Sequence, residues 1–256
     1  MRYNGAVGTA DLHVHTSLGD GMADIPELLT HVEEHTDLSV VAVTEHDDVR
    51  PALLAREAWA RGRYRFEVVV GAELTTIEGH LLALYIEEPV ASLQRLLPTL
   101  EAVHKQGGLC VIPHPMSWLT RSLSERTIER IRADGRDGVH FDGMETASSP
   151  AARVSIAKAR RLNGERWHLA EVGGSDAHFL QAVGVCRTVF DGSTAEELRR
   201  AILARETTAV AGAYPSMRQI GLLTVARQQA RGFMATPRAM GWLPTIGSFI
   251  KRTLPS

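Results

Sequence analysis

The chain has 256 residues, 44% of them hydrophobic and 23% charged, with a formal net charge of −2. That length can bury one large core or two small ones, and the proportions are those of an ordinary globular protein. A balance so close to neutrality gives no global reason to expect a nucleic-acid or membrane partner.

Along the chain, short apolar runs alternate with amphipathic stretches. In order, the pattern predicts a strand over 12–14, a helix over 25–35, a strand over 38–43, a helix over 51–61 and strands over 66–70 and 80–86. It continues with a helix over 93–106, a strand over 109–112, a helix over 124–133, a strand over 143–146 and a helix over 151–162. Strands over 168–172 and 183–190 and a helix over 195–205 complete it. Helix punctuation agrees: Asp24 precedes Pro26 and Glu27, Gly107 and Gly108 follow the helix over 93–106, and Ser193-Thr194 precede Glu196-Glu197. Near-continuous apolar strands between helices point to an α/β fold, a mostly parallel sheet covered by helices. Only 76–79 separate two of the strands, so a hairpin or tight crossover interrupts the alternation. A distorted barrel fits better than an ideal eightfold one.

The opening MRYNGAVGTADLHVHTS lacks the apolar run of a signal peptide, and no stretch approaches the roughly 18 apolar residues of a membrane span. Cys110 and Cys186 each sit inside an apolar run, which reads as buried reduced thiols rather than a disulfide framework and makes the cytoplasm the expected compartment. From Thr207 onward there is no Asp or Glu, but there are six basic residues: Arg218, Arg227, Arg231, Arg238, Lys251 and Arg252. The expected organisation is a barrel over 1–212 and a basic, helical extension over 213–256. Such a tail can pack on the acidic body, meet an anionic partner, or touch a membrane surface through Trp242, Phe249 and Ile250. Oligomeric state is left open.

The chemistry is concentrated at the ends of the predicted strands. The first cluster is Asp11-Leu-His13-Val-His15, followed by Asp20 in a turn between Gly19 and Gly21. His13 and His15 are two apart on a strand and share a face, so they can chelate one metal. Then come Thr44-Glu45-His46-Asp47, Gly71-Ala72-Glu73 with His80 opening the next strand, Pro113-His114-Pro115, and Ser175-Asp176-Ala177-His178. In a barrel of parallel strands the carboxyl ends converge on one face, where active sites are built. Mixed imidazole and carboxylate donors without thiolates suit zinc, manganese or iron(II), and argue against a structural zinc site.

The order and wording of these motifs resemble the polymerase and histidinol phosphatase (PHP) family: D-x-H-x-H, T-E-H-D, G-x-E, P-H-P and S-D-x-H, covering roughly residues 10–190. The resemblance implies a distorted (β/α)7 barrel with two to three divalent ions at its mouth, manganese, zinc or iron, with magnesium also admitted. By motif, it assigns His13, His15, Glu73 and Asp176 to one ion. Glu73 would bridge to a second ion held by His80 and His114, and Asp20, His46 and His178 would hold a third. Asp20 stands where some relatives use His. Asp11, Glu45, Asp47 and Glu145 are expected to orient imidazoles, as metal-bound histidines require.

The implied activity is a metal-dependent phosphoesterase acting on a small phosphomonoester or nucleotide. Glu73, His178 and His46 are the expected catalytic set, the histidines assisting the leaving oxygen. Arg50, Arg121 and Arg187 follow motif segments and are the candidates for holding substrate phosphate. Three alternatives stay open: a 5′-to-3′ exonuclease on short oligonucleotides, a non-catalytic metal-stabilised binding module, and metal-dependent hydrolysis of a carbonyl substrate.

Overall fold

The computed structural model describes residues 6–239. Among the described residues nine strands form one sheet: β1 (Val7–Val14), β2 (Val40–Val43), β3 (Glu67–Thr75), β4 (His80–Leu84), β5 (Leu109–Ile112), β6 (Gly143–Ala147), β7 (Ala170–Gly173), β8 (Cys186–Asp191) and β9 (Thr208–Ala211). The helices are α1 (Ile25–His35), α2 (Arg50–Arg61), α3 (Leu96–Lys105), α4 (Glu125–Arg132), α5 (Arg153–Leu162), α6 (Ala195–Ala204), α7 (Met217–Ile220) and α8 (Leu222–Ala239). No helix of the described residues is long and apolar enough to cross a membrane. Trp242, Phe249, Ile250, Lys251 and Arg252, with the expectations placed on them, lie outside the described residues.

Local chemistry starts the helices where the sequence signals them. Asp24 accepts from the Glu27 amide while Glu27 accepts from the Asp24 amide, and Thr194 and Glu197 repeat the arrangement at α6. Ser124 caps α4.

The strand order is β7-β6-β5-β4-β3-β2-β1-β8-β9. The ring nearly closes, because the chain beyond β7 returns to β1: Ala177 bridges Val14 in parallel, and His15 N donates to Ala177 O at 2.9 Å. The sheet is more mixed than the apolar runs suggest. β4 is antiparallel to both β3 and β5, and β8 is antiparallel to both β1 and β9. The four-residue link 76–79 is too short for a parallel crossover, so β3 and β4 form a hairpin. The regular strand–helix alternation is therefore broken at that point. β9 is an unanticipated strand, short and largely exposed, and it leaves little periodic signal.

Two apolar layers follow from the period of two along each strand. Val41, Val43 and Val70 face outward and pack against Leu28, Leu29 and Leu100 of the helices. Ala10, Leu12, Val40, Ala42, Val69 and Val172 face inward and fill the barrel, with Leu198 and Ile202 of α6 packed against them. The mouth lies at the opposite end from this apolar filling. Because β4 runs backward, His80 at its start arrives at the same end as the carboxyl termini of β2 and β5.

Candidate metal centre

The inward phase of β3 that places Val69 in the barrel also points Glu73 inward, above Gly71. On β1 a further device is needed. Leu12 packs inside and Val14 in the outer layer, which strict alternation forbids. The register between β1 and β2 shifts between Asp11 and Val14, and this irregularity turns His13 and His15 to the interior. Backbone of unusual form recurs at the other ligand-bearing loops. Asp47, His114 and Asp176 adopt φ of 58°, 28° and 52°, values that L-residues hold only where their surroundings fix them.

Six imidazoles and three carboxylates thereby meet at one cavity of about 500 Å³, with His13 and His15 buried beneath it. Around Glu73 and Asp176, the Nε2 atoms of His13 and His15 lie 3.3–3.6 Å from carboxylate oxygens of both. Glu73 Oε1 is 2.7 Å from His80 Nδ1 and 2.8 Å from His114 Nε2. Asp20 Oδ2 is 3.0 Å from His178 Nε2 and 3.8 Å from His46 Nε2.

This donor set fits divalent cations. His13 Nδ1 donates to Glu145 Oε1 at 2.8 Å, and His178 Nδ1 donates to the Asp176 carbonyl at 3.0 Å. Both partners only accept, so neutral rings turn Nε2 lone pairs toward the cavity. The His178 lone pair then meets a carboxylate oxygen at contact distance, which demands a proton or a metal between them. His13 Nε2, both nitrogens of His15, His46 Nδ1 and Asp20 Oδ1 are buried without a hydrogen-bond partner. Buried polar atoms left this way are costly unless something binds them.

The titration behaviour follows the same geometry. Burial opposes charge on every group, yet His80, His46 and His13 hold Glu73 well below the ordinary carboxylate range. Likewise burial opposes charge on Asp176, but His13 and His15 draw it well down. In turn Glu73 and Asp176 overcome burial to push His13 well above its usual value. His46 is the exception, since there burial wins and the imidazole is lowered.

The residues expected to orient imidazoles divide. Glu145 does so for His13, and its other oxygen accepts from the His114 amide at 2.6 Å. Glu45 takes the Thr16 amide and hydroxyl, and its other oxygen lies 3.6 Å from His15. Asp47 accepts from the Thr75 amide at 2.6 Å. Asp11 orients no ring. It accepts from the amides of Ser175 and Gly184 at 2.9 and 2.7 Å and from the Ser175 hydroxyl, tying the loop that carries Asp176 to β1. Burial pushes the Asp11 carboxyl up to about 6, against these donors. Asn at this position loses one charged acceptor facing two buried donors, so Asp11→Asn is expected to destabilise the fold by about 2–4 kcal/mol. A thermal melt unchanged from the wild type would refute that role.

Residues 157–207 match the family model described as PHP-associated. The chain is 29% identical over 147 residues to MJ1587, an uncharacterized protein of Methanocaldococcus jannaschii, covering 51% of this chain and 85% of that one. It is 32% identical over 81 residues to the 5′-3′ exoribonuclease Rnm of Salmonella typhimurium, covering 30% of this chain and 27% of Rnm. A two-domain protein from Bacteroides vulgatus ATCC 8482, containing a predicted PHP-like metal-dependent phosphoesterase, superposes with TM-score 0.60 at 18% identity over 83% of this chain and 69% of its own. The chain has a PHP-like fold.

Around this cavity the three candidate arginines differ. Arg121 lines the cavity, and its guanidinium donates to the Thr76 carbonyl at 3.2 Å. Arg50 is exposed and turned to Asp48 at 2.6 Å, and Arg187 is turned to Asp37 at 2.6 Å; neither lines the cavity. Sequence reasoning missed Ser122 and Thr120, which hold His114 Nδ1 at 2.8 and 3.1 Å, and Ser149, which donates to Asp176 at 3.1 Å. It also missed Gln228, which reaches the cavity from α8. Serines and threonines in loops carry no distinguishing pattern, although Ser122 lies only eight residues beyond His114.

Proposed function

We propose that this chain is a metal-dependent phosphoesterase, hydrolysing a small phosphomonoester or a nucleotide-type substrate. The observation that carries the reading is the set of buried, unpartnered imidazole and carboxylate atoms turned to a cavity that Arg121 also lines. His13, His15, Glu73 and Asp176 would hold one ion, Glu73, His80 and His114 a second, and Asp20, His46 and His178 a third. Two to three such ions, manganese, zinc, iron or magnesium, supply Lewis-acid charge and lower the pKa of water toward neutrality.

The chain's own residues do the rest. Arg121 offers a guanidinium to the non-bridging oxygens of a phosphate, a geometry arginine suits. His178, fixed through Nδ1 by the Asp176 carbonyl, keeps Nε2 directed into the cavity, where that atom serves as a ligand to the third ion or, with that position empty, carries the proton for a leaving oxygen. A neighbouring cavity of about 460 Å³, lined by Arg153, Arg160 and Ile156, shares Ser149, Pro150 and Tyr214 with the metal cavity. It gives room for the part of a substrate beyond its phosphate. The likeness to the exoribonuclease Rnm favours a second reading, 5′-to-3′ trimming of short oligonucleotides. Both cysteines are free and buried, in keeping with a reducing cytoplasm.

Elemental analysis together with hydrolysis of p-nitrophenyl phosphate and its bis-ester tests the proposal. Two to three bound ions with phosphoester turnover support it. Bound metal without turnover of any phosphoester would favour a binding module or a carbonyl hydrolase. Arg121→Ala is expected to raise KM for phosphate esters about tenfold, the worth of one to two kcal/mol of charged hydrogen bonding, with metal content unchanged. Unaltered kinetics would remove Arg121 from the substrate site.

A further inference from the structure

Over its residues 222–232, helix α8 packs in a way hydrophobicity does not explain. Leu222 and Leu223 are 67% and 65% exposed, while Gln228 is only 6% exposed. An amphipathic helix ordinarily buries its apolar stripe. Over 222–232 the one buried side chain is polar, and it lies on the metal cavity, which Gln228, Gln229 and Gly232 all line. The Gln228 side-chain amide donates to Asp20 Oδ2 at 3.4 Å, the same oxygen that faces His178 and His46. One turn on, Gly232 brings bare backbone to that carboxylate, for a Cβ there would meet Asp20 Oδ2 at 3.3 Å. A glycine inside a helix costs about 1 kcal/mol relative to alanine, so its presence at this contact favours close approach over helix stability. Arg231 fastens the arrangement by donating to the carbonyls of Ser17 and of Gly19, the latter at 3.2 Å, in the loop that carries Asp20.

We infer that Gln228 and Arg231 of α8 are positioning residues for Asp20, making this helix part of the metal centre through the third ion. The inference rests on the phosphoesterase reading above only in needing that ion. Asp20 sits in a loop between Gly19 and Gly21. Arg231 fixes the backbone of that loop, and Gln228 leaves Oδ1 and one lone pair of Oδ2 free for the cation while holding the carboxylate's rotation. Partners of this kind, which touch a ligand rather than the metal, typically change metal affinity 10- to 100-fold.

The test is direct titration of the full-length, metal-stripped chain with manganese or zinc, reading stoichiometry and affinity for each ion. Gln228→Met keeps side-chain length and removes the donor, and Arg231→Ala releases the loop. Both are compared with Asp20→Asn, circular dichroism verifying the fold. The expected result is that each α8 variant weakens one ion about 10- to 100-fold, the ion that Asp20→Asn loses, while the remaining ions bind as in the wild type. Wild-type binding of every ion in both α8 variants, with one ion lost in Asp20→Asn, overturns the inference and leaves the phosphoesterase reading intact. Should one α8 variant fail to fold, the other decides. A wild-type chain that binds no ion overturns both.

Discussion

Glu73→Gln is expected to lower phosphoester turnover by about a thousandfold or more and to reduce the bound metal by at least one ion. The site is built around this carboxylate. It is buried to 1% exposure, with Oε1 at 2.7 and 2.8 Å from His80 and His114, and Oε2 at 3.1, 3.3 and 3.5 Å from His46, His13 and His15. Five imidazoles therefore depend on one pair of oxygens. Gln keeps the volume but replaces one oxygen by an amide donor, which bonds the ring lone pairs that cations would otherwise take. Metal charge at a phosphoryl oxygen contributes several kcal/mol, and each 1.36 kcal/mol is tenfold in rate, so a loss of about three decades follows. Steady-state kinetics on p-nitrophenyl phosphate, with elemental analysis of the same preparation, checks both halves. Full metal content with wild-type kcat would remove Glu73 from the centre.

Much of this architecture was legible because each motif stands where an apolar run stops. Val40–Val43, Leu109–Ile112 and Ala170–Gly173 are short buried strands, and His46, His114 and Asp176 follow within a few residues of their ends. Hydrophobic patterning thus located both the strands and the side on which their polar continuations gather. It could not supply the phase shift between Asp11 and Val14 that points His13 and His15 inward, since a local irregularity leaves the composition of β1 unchanged. Nor could it place the arginines. Asp48 was a visible partner for Arg50, two residues away, but the pairing of Arg187 with Asp37 spans 150 positions. The least legible part was α8. Periodicity would turn Leu222 and Leu223 inward, whereas the acidic mouth selects Gln228 and Arg231, and only the absence of any acid after residue 206 hinted that this tail suits an acidic surface.

The balance of charges at the mouth makes metal and pH act together on stability. In the metal-free chain, carboxylates hold His13, His15, His114 and His178 above the ordinary imidazole value, in each case against burial. Groups raised in this way stabilise the fold fully below about pH 6.5, their unfolded value, and lose that contribution as pH rises through the raised values. Glu73 and Asp176 are depressed instead, and their contribution is present above about pH 4 and lost as pH falls. Alkaline pH therefore strips the protons that bind the cluster together and leaves three carboxylates facing unpartnered ring nitrogens. Divalent ions replace those protons, and they bind better as the imidazoles deprotonate. The melting temperature gained on adding saturating zinc or manganese to stripped protein is thus expected to be larger at pH 8 than at pH 6. An ion at a hundred times its Kd contributes about 2.7 kcal/mol, which for a chain of this size amounts to roughly 5–10 °C. A metal effect that is equal at the two pH values, or larger at pH 6, would mean that protons and cations do not compete for these side chains.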